Sequence, residues 1–297
     1  MSEGRVRFPS SLVGEYGIAR SFELTPRRCT AFAAGVGEEG ARYFDDTATG
    51  GLAAHWGLAF AMQWQSHYTP GRPYDVNGPL WRHLLHAGSD LRMRRAFRVG
   101  EVLTCQGVTT AVQAIKPGVQ WLQRYTMRDR KGAVVAELGH SAIIRGAAVE
   151  GPERNADGWR ADWEARADAG EGAALWEADL AVPPTAPHVY TECARIWNPI
   201  HTERGVAIAA GLPGIVLHGT ASLCMAVGVL VGRELGGNGD RVRRVAGEYR
   251  ALVVPGRPLL VRCLERREGP SGAVRLRFEA LNDAGDRAIA GGVVEGA

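Results

Sequence analysis

The chain has 297 residues and a mass of 31.9 kDa, room for one large domain or two of about 150 residues, since single cores rarely grow past about 250 to 300. A hydrophobic fraction of 45%, a charged fraction of 23% and a mean hydropathy of −0.14 exclude a mainly disordered or fibrous chain, and no apolar run reaches the roughly 18 residues of a membrane span. The formal charge of +3 comes with no basic cluster interleaved with aromatics, so nucleic-acid binding ranks low.

In chain order, the opening MSEGRVRFPSSLV lacks a continuous apolar core and a small-residue cleavage pattern, so no secretory signal is expected and the protein is read as cytoplasmic. The glycines of GVGEEG (Gly35, Gly37, Gly40) suit a helix end and loop better than a dinucleotide fingerprint, because no strand of useful length precedes them. AHWGLAFAMQW (54–64) is apolar enough for a buried helix. Trp56, Phe60 and Trp64, with Trp81 beyond, are expected in a packed core, the alternative being the wall of a pocket. His83 and His86 stand at a helical i,i+3 spacing without the third ligand a metal needs. Four strand-like runs follow, at 89–99, 101–112, 119–129 and 133–146.

Residues 150–179 carry nine acidic residues against three arginines and little apolar periodicity. They predict an N-terminal unit (1–149), an acidic linker (150–184) and a C-terminal unit (185–297). Trp159, Trp163 and Trp176 predict that the linker packs against the body. Thr185 and Pro187 mark a helix start before HVYTECARI; a loop NPIHTE and an apolar helix LHGTASLCMAVGVLV follow. Four strand-like runs, at 243–254, 258–268, 273–282 and 287–295, complete the chain. Both halves thus show helix, loop, apolar helix and strands. FRVGEVLT aligns with VVPGRPLL at an offset of 156, and VGEEGARYFDD with ARIWNPIHTER at 158. A duplicated α+β unit, one helix wrapped by an antiparallel sheet, accounts for both.

Five widely spaced cysteines lack the short spacings of a zinc site or redox pair and are expected as reduced, mostly packed thiols. Lys116 and Lys131, the only lysines, sit in apparent turns, which sets Schiff-base chemistry aside. Neither a nucleophile elbow nor a phosphate loop is present, and no metal or cofactor is expected. The informative stretch runs from Tyr190 to Leu223. Asn198, Pro199, Ile200 and His201 are followed by Gly211, Pro213, Ile215, His218 and Gly219. This stretch resembles the active-site region of the MaoC-like (R)-specific enoyl-CoA hydratase/dehydratase family, where an Asn-Pro-Ile-His run precedes a Gly-x-Pro turn and an Ile-x-His-Gly at the start of the central helix. The PGRPLL turn matches the family's Pro-Gly-x-x-Leu. The resemblance implies a double hot-dog fold and a hydratase or dehydratase of acyl thioesters carried by coenzyme A or acyl carrier protein, with a homodimer of the double unit compatible with it.

Three adjacent positions depart from the family, the last of them at its acid. Its catalytic Asp falls on Ile196, and the preceding Ser and Gly on Ala194 and Arg195. In the first half the corresponding positions are Glu38, Gly40 and Tyr43, so that half is expected to be structural. Adding water to an enoyl thioester needs a group that exchanges protons near neutral pH and donors for an enolate-like oxygen. His201 fits the first role, Asn198 a water-orienting role, and the Gly219 amide at a helix N-terminus the second. Glycine at 219 would let a ligand approach the backbone. His218 is expected to brace the turn before the helix. Tyr190, Glu192 or Glu203 could replace the missing acid, and Arg195 could meet a substrate anion. A hot-dog thioesterase, with a carboxylate or histidine activating water, and a non-catalytic acyl-thioester binder are the alternatives.

Overall fold

The computed structural model describes residues 6–67, 80, 83–156 and 173–297. Trp81, Trp159 and Trp163 lie outside these residues, as does the middle of the acidic segment.

The first half begins with short strands β1 (Arg7–Pro9) and β2 (Arg20–Glu23), then helix α1 (Pro26–Gly35). Thr25 starts α1 by accepting the Arg28 amide at 3.2 Å, with Pro26 in the first helical position where its missing N–H costs nothing. The apolar helix α2 (Leu58–His67) is followed by β3 (Leu84–Met93), β4 (Val102–Ile115), β5 (Gly118–Arg128), β6 (Val134–Arg145), β7 (Ala148–Glu150) and β8 (Arg154–Asn155). The second half holds β9 (Trp176–Leu180), α3 (Ala186–Ala194), α4 (Arg204–Ala209), α5 (Gly219–Glu234), β10 (Val242–Tyr249), β11 (Leu259–Glu268), β12 (Val274–Leu281) and β13 (Arg287–Gly296).

Both halves join one antiparallel sheet in the order β2-β4-β5-β6-β3-β10-β13-β12-β11-β9, with β8 on β4. The seam is β3 against β10, with Leu91 opposite Val245 and Asp90 opposite Ala246. Asp90, fully buried, receives Arg244 at 2.9 and 3.0 Å and Arg92 at 3.2 Å, so the seam carries a charge cluster as well as backbone bonds. α2 and α5 are buried on nearly every side and are wrapped by the sheet, which makes the architecture a double hot-dog of the α+β class. One apolar core runs through both halves, from Phe32, Trp56 and Phe60 to Leu223, Val227 and Phe278. Trp56 and Phe60 are core residues, and Trp64 packs partly buried against them.

Two local expectations are corrected. His83 and His86 do not share a helix face: Leu84–Met93 is a strand, because Leu84, Leu85 and His86 pair with Ile144, Ile143 and Ala142 of β6. The end of the segment expected as linker, Trp176–Leu180, is the edge strand beside β11, its ladder completed by Leu259–Cys263. Trp176 is fixed there by a bond from Nε1 to Glu234 at 2.7 Å and by Arg233 4.5 Å over its ring. All five cysteines are free, four of them buried. Among the described residues, no helix is long and apolar enough to cross a membrane and no cluster of His, Cys, Asp or Glu could hold a metal ion.

Candidate active site

The loop that follows α3 is built by a strained turn. Arg195 ends the helix in the left-handed region (φ 56°, ψ 44°), a conformation that favours glycine, and turns the chain sharply inward. Ile196 is buried in the core, and its carbonyl accepts a bond from His218 Nε2 at 3.3 Å. At the position of the lost Asp the backbone therefore holds the turn, while the side chain is hydrocarbon. Asn198 then opens a short 3-10 turn over Pro199–His201, its Oδ1 accepting the Ile200 amide at 3.4 Å.

That turn places His201 beside the start of α5. The His201 Nδ1–H donates to the Val216 carbonyl at 2.8 Å, and the ring stacks on His218 with centroids 3.6 Å apart and planes at 24°. Burial pushes the His201 imidazole down to about 4, partly opposed by the Val216 bond, so the ring is neutral at pH 7. With Nδ1 committed to Val216, Nε2 is the atom available for proton exchange. His218 is buried and shares its Nε2–H between the Ile196 carbonyl and the Thr191 hydroxyl, both at 3.3 Å. Burial and the neighbouring His201 hold it well below the ordinary histidine range.

The expected auxiliary groups divide. Tyr190 is fully buried, donates to Thr220 Oγ1 at 3.0 Å and lies edge-on to His218 at 5.0 Å; burial raises its phenol well above the usual value. It supports the first turn of α5. Glu192 and Glu203 are exposed, and among the described residues no hydrogen bond joins either to His201. Arg195 is exposed and has no carboxylate partner among the described residues.

Gly219 is the first residue of α5, and no acceptor for its amide is found among the described residues, as expected at a helix N-terminus. The open space expected beside it is filled. A Cβ on Gly219 would stand 2.8 to 3.0 Å from the ring of Tyr249, so glycine here admits that ring. Tyr249, half-buried at the end of β10, donates to Ser89 Oγ at 3.1 Å; Ser89 lies 3.1 Å from His86 Nε2, and the His86 ring meets Tyr249 edge-on at 4.8 Å. None of Tyr249, Ser89 and Thr191 was singled out by the sequence. In the sequence Tyr249 is one aromatic in a strand, and only pairing β10 with β3 brings it to Ser89.

The first half repeats the constellation in altered form. His55 Nε2 lies 3.3 Å from Glu38, and Tyr43 packs on the His55 ring at 5.6 Å. His55 Nδ1 accepts the Gly57 amide at 2.9 Å, so the backbone donor at the start of α2 is already used. A small cleft also lies in this half, lined by Leu12, Tyr16, Ser66, His67, Thr109 and Tyr125 among others, and none of the expected site residues borders it.

Residues 11–138 match the family model described as the FAS1-like dehydratase domain region. Over 117 residues, 39% of the chain, the sequence is 34% identical to the fatty acid synthase beta subunit TOXC of Cochliobolus carbonum; the matched stretch is 6% of that subunit, and the other curated synthase subunits are matched over similarly small shares. The fold is similar to a MaoC-like dehydratase from Phytophthora capsici, with a TM-score of 0.77, 20% identity and 96% of each chain covered. It is also similar to a double hot-dog protein of Mycobacterium tuberculosis, with a TM-score of 0.62, 16% identity and 96% of each chain covered. The chain is a double hot-dog protein with the fold of MaoC-like dehydratases, and its N-terminal half matches the dehydratase region of FAS1-like proteins.

Proposed function

We propose that the chain is a hydro-lyase that adds water to a 2-enoyl thioester, or removes it from a 3-hydroxyacyl thioester, carried by coenzyme A or acyl carrier protein. The observation that carries this reading is a neutral imidazole held at the N-terminal approach to α5 by its bond to the Val216 carbonyl and its stacking on His218. The dehydratase match and the dehydratase fold support it.

In hydration, His201 Nε2 takes a proton from water as the water oxygen bonds to C3 of the enoyl group. The electron pair of the double bond moves into the thioester, whose oxygen becomes anionic and is held by the Gly219 amide at the positive end of α5. The proton on His201 then passes to C2, which re-forms the carbonyl and leaves a 3-hydroxyacyl thioester. One imidazole thus serves both transfers, the role that a buried isoleucine at 196 leaves to it. Asn198 caps the turn with Oδ1, which leaves its amide N–H groups to orient the water. The use of Gly57 by His55 supports a structural role for the first half. Exposed Glu192 and Glu203 do not support the thioesterase alternative.

The test is a panel of enoyl- and 3-hydroxyacyl-CoA esters followed by mass spectrometry. Gain or loss of one water is expected, and release of free coenzyme A would instead indicate hydrolysis. His201→Ala is expected to lower turnover about 10²- to 10⁴-fold with the fold intact by circular dichroism; an active variant would remove His201 from the mechanism.

A further inference from the structure

The first turn of α5 is enclosed by rings. His201 and His218 stack on one side, Tyr190 is bonded to Thr220 beneath, and Tyr249 lies against Gly219. Further along the helix, Leu223 and Cys224 are at most 1% exposed, and Cys224 packs near Phe32 and Gly57 from the first half. Tyr249 is not a loose lid. Its hydroxyl is bonded to Ser89, Ser89 to His86, and the His86 ring lies 4.3 Å from His140 at a tilt of 39°, so moving the phenol disturbs a part-buried polar row.

We infer that Tyr249 is the end wall of the acyl site and confines this chain to short acyl thioesters, an inference that rests on the thioester reading above. If the thioester oxygen sits on the Gly219 amide, C2 and C3 lie one and two bonds from a carbonyl held at the residue whose Cα the Tyr249 ring covers. A butanoyl group ends about there. A longer chain has to displace the ring and break its bond to Ser89, and the core behind offers it packed side chains. Glycine at 219 and tyrosine at 249 are then one device: the missing Cβ lets the wall stand close to the reacting carbons.

The experiment is calorimetric binding of butanoyl-CoA and dodecanoyl-CoA to the full chain, which needs no turnover. Wild type is expected to bind butanoyl-CoA at least about 10-fold more tightly, a modest discrimination for an apolar pocket that cannot lengthen. Tyr249→Ala is expected to erase or reverse that ratio, and Tyr249→Phe, which keeps the ring, to preserve it. Equal or tighter binding of dodecanoyl-CoA by wild type, or binding of neither ester, would overturn the inference. So would an unchanged ratio in folded Tyr249→Ala; if that variant does not fold, Tyr249→Leu is measured in its place under the same criteria. Selective binding of butanoyl-CoA without water addition to but-2-enoyl-CoA would overturn the hydro-lyase reading and leave the wall standing.

Discussion

His201 combines two properties that usually conflict, half-burial and availability for proton exchange. Burial lowers its pKa to about 4, so the neutral form dominates at pH 7 without a carboxylate partner, as the proposed role requires. The consequence for stability has a definite sign. His201, His218, His86 and His140 all have folded pKa values below the ordinary 6.5, so an unfolded chain binds protons in acid that the folded chain refuses. Their stabilising contribution is complete above about pH 6.5 and declines as pH falls towards 4, by up to about 1.4 kcal/mol per pH unit for each such group. Urea unfolding at a series of pH values is expected to show that loss while the far-ultraviolet spectrum at pH 6 is unchanged; a midpoint that stays constant from pH 7 to 4 would contradict it. At this scale the closeness of His201, Asn198 and His218 was legible, because all three lie within one local segment. Tyr249, Ser89 and Thr191 were not legible, since their partners are supplied by long-range pairing and by the path of a turn.

The seam between β3 and β10 fixes how the two central helices face each other. Asp90 has no exposed side-chain surface and is charge-paired with Arg244 across the seam and Arg92 on its own strand. Removing its charge leaves guanidinium groups facing a neutral partner, so Asp90→Asn is expected to cost about 3 to 5 kcal/mol in urea unfolding. A loss below about 1 kcal/mol would show that the backbone ladder alone holds the halves together. Element types in the sequence were readable where periodicity was strong, as in the apolar helices and the strands β11 to β13. The i,i+3 spacing of HLLH carries no sign of the partner strand β6, whose pairing makes the segment extended. Trp176–Leu180 was hidden by its acidic residues, which suit an edge strand with one solvent-facing side.

The whole molecule is a duplication in which the two halves share a fold but keep different polar groups at equivalent places. His201 and a Gly219 amide with no acceptor among the described residues stand in the second half; Tyr43, a His55–Glu38 pair and an amide already bonded to His55 stand in the first. The duplication was legible from the two offsets, and the weak identity between halves did not hide it because helix order and turn chemistry are repeated. The two amides differ in the bonds they make, a difference that no sequence alignment contains. Glu38→Gln is accordingly expected to lower stability by about 0.5 to 1.5 kcal/mol in thermal unfolding and to leave water addition within about twofold of wild type, whereas a tenfold loss of turnover would place a second working site in the first half. The most direct measurement is the mass of but-2-enoyl-CoA after incubation with wild type and His201→Ala. A gain of one water with wild type, lost in the variant, is the expected result; no gain with wild type, or the same gain with the variant, would contradict the central role of that imidazole.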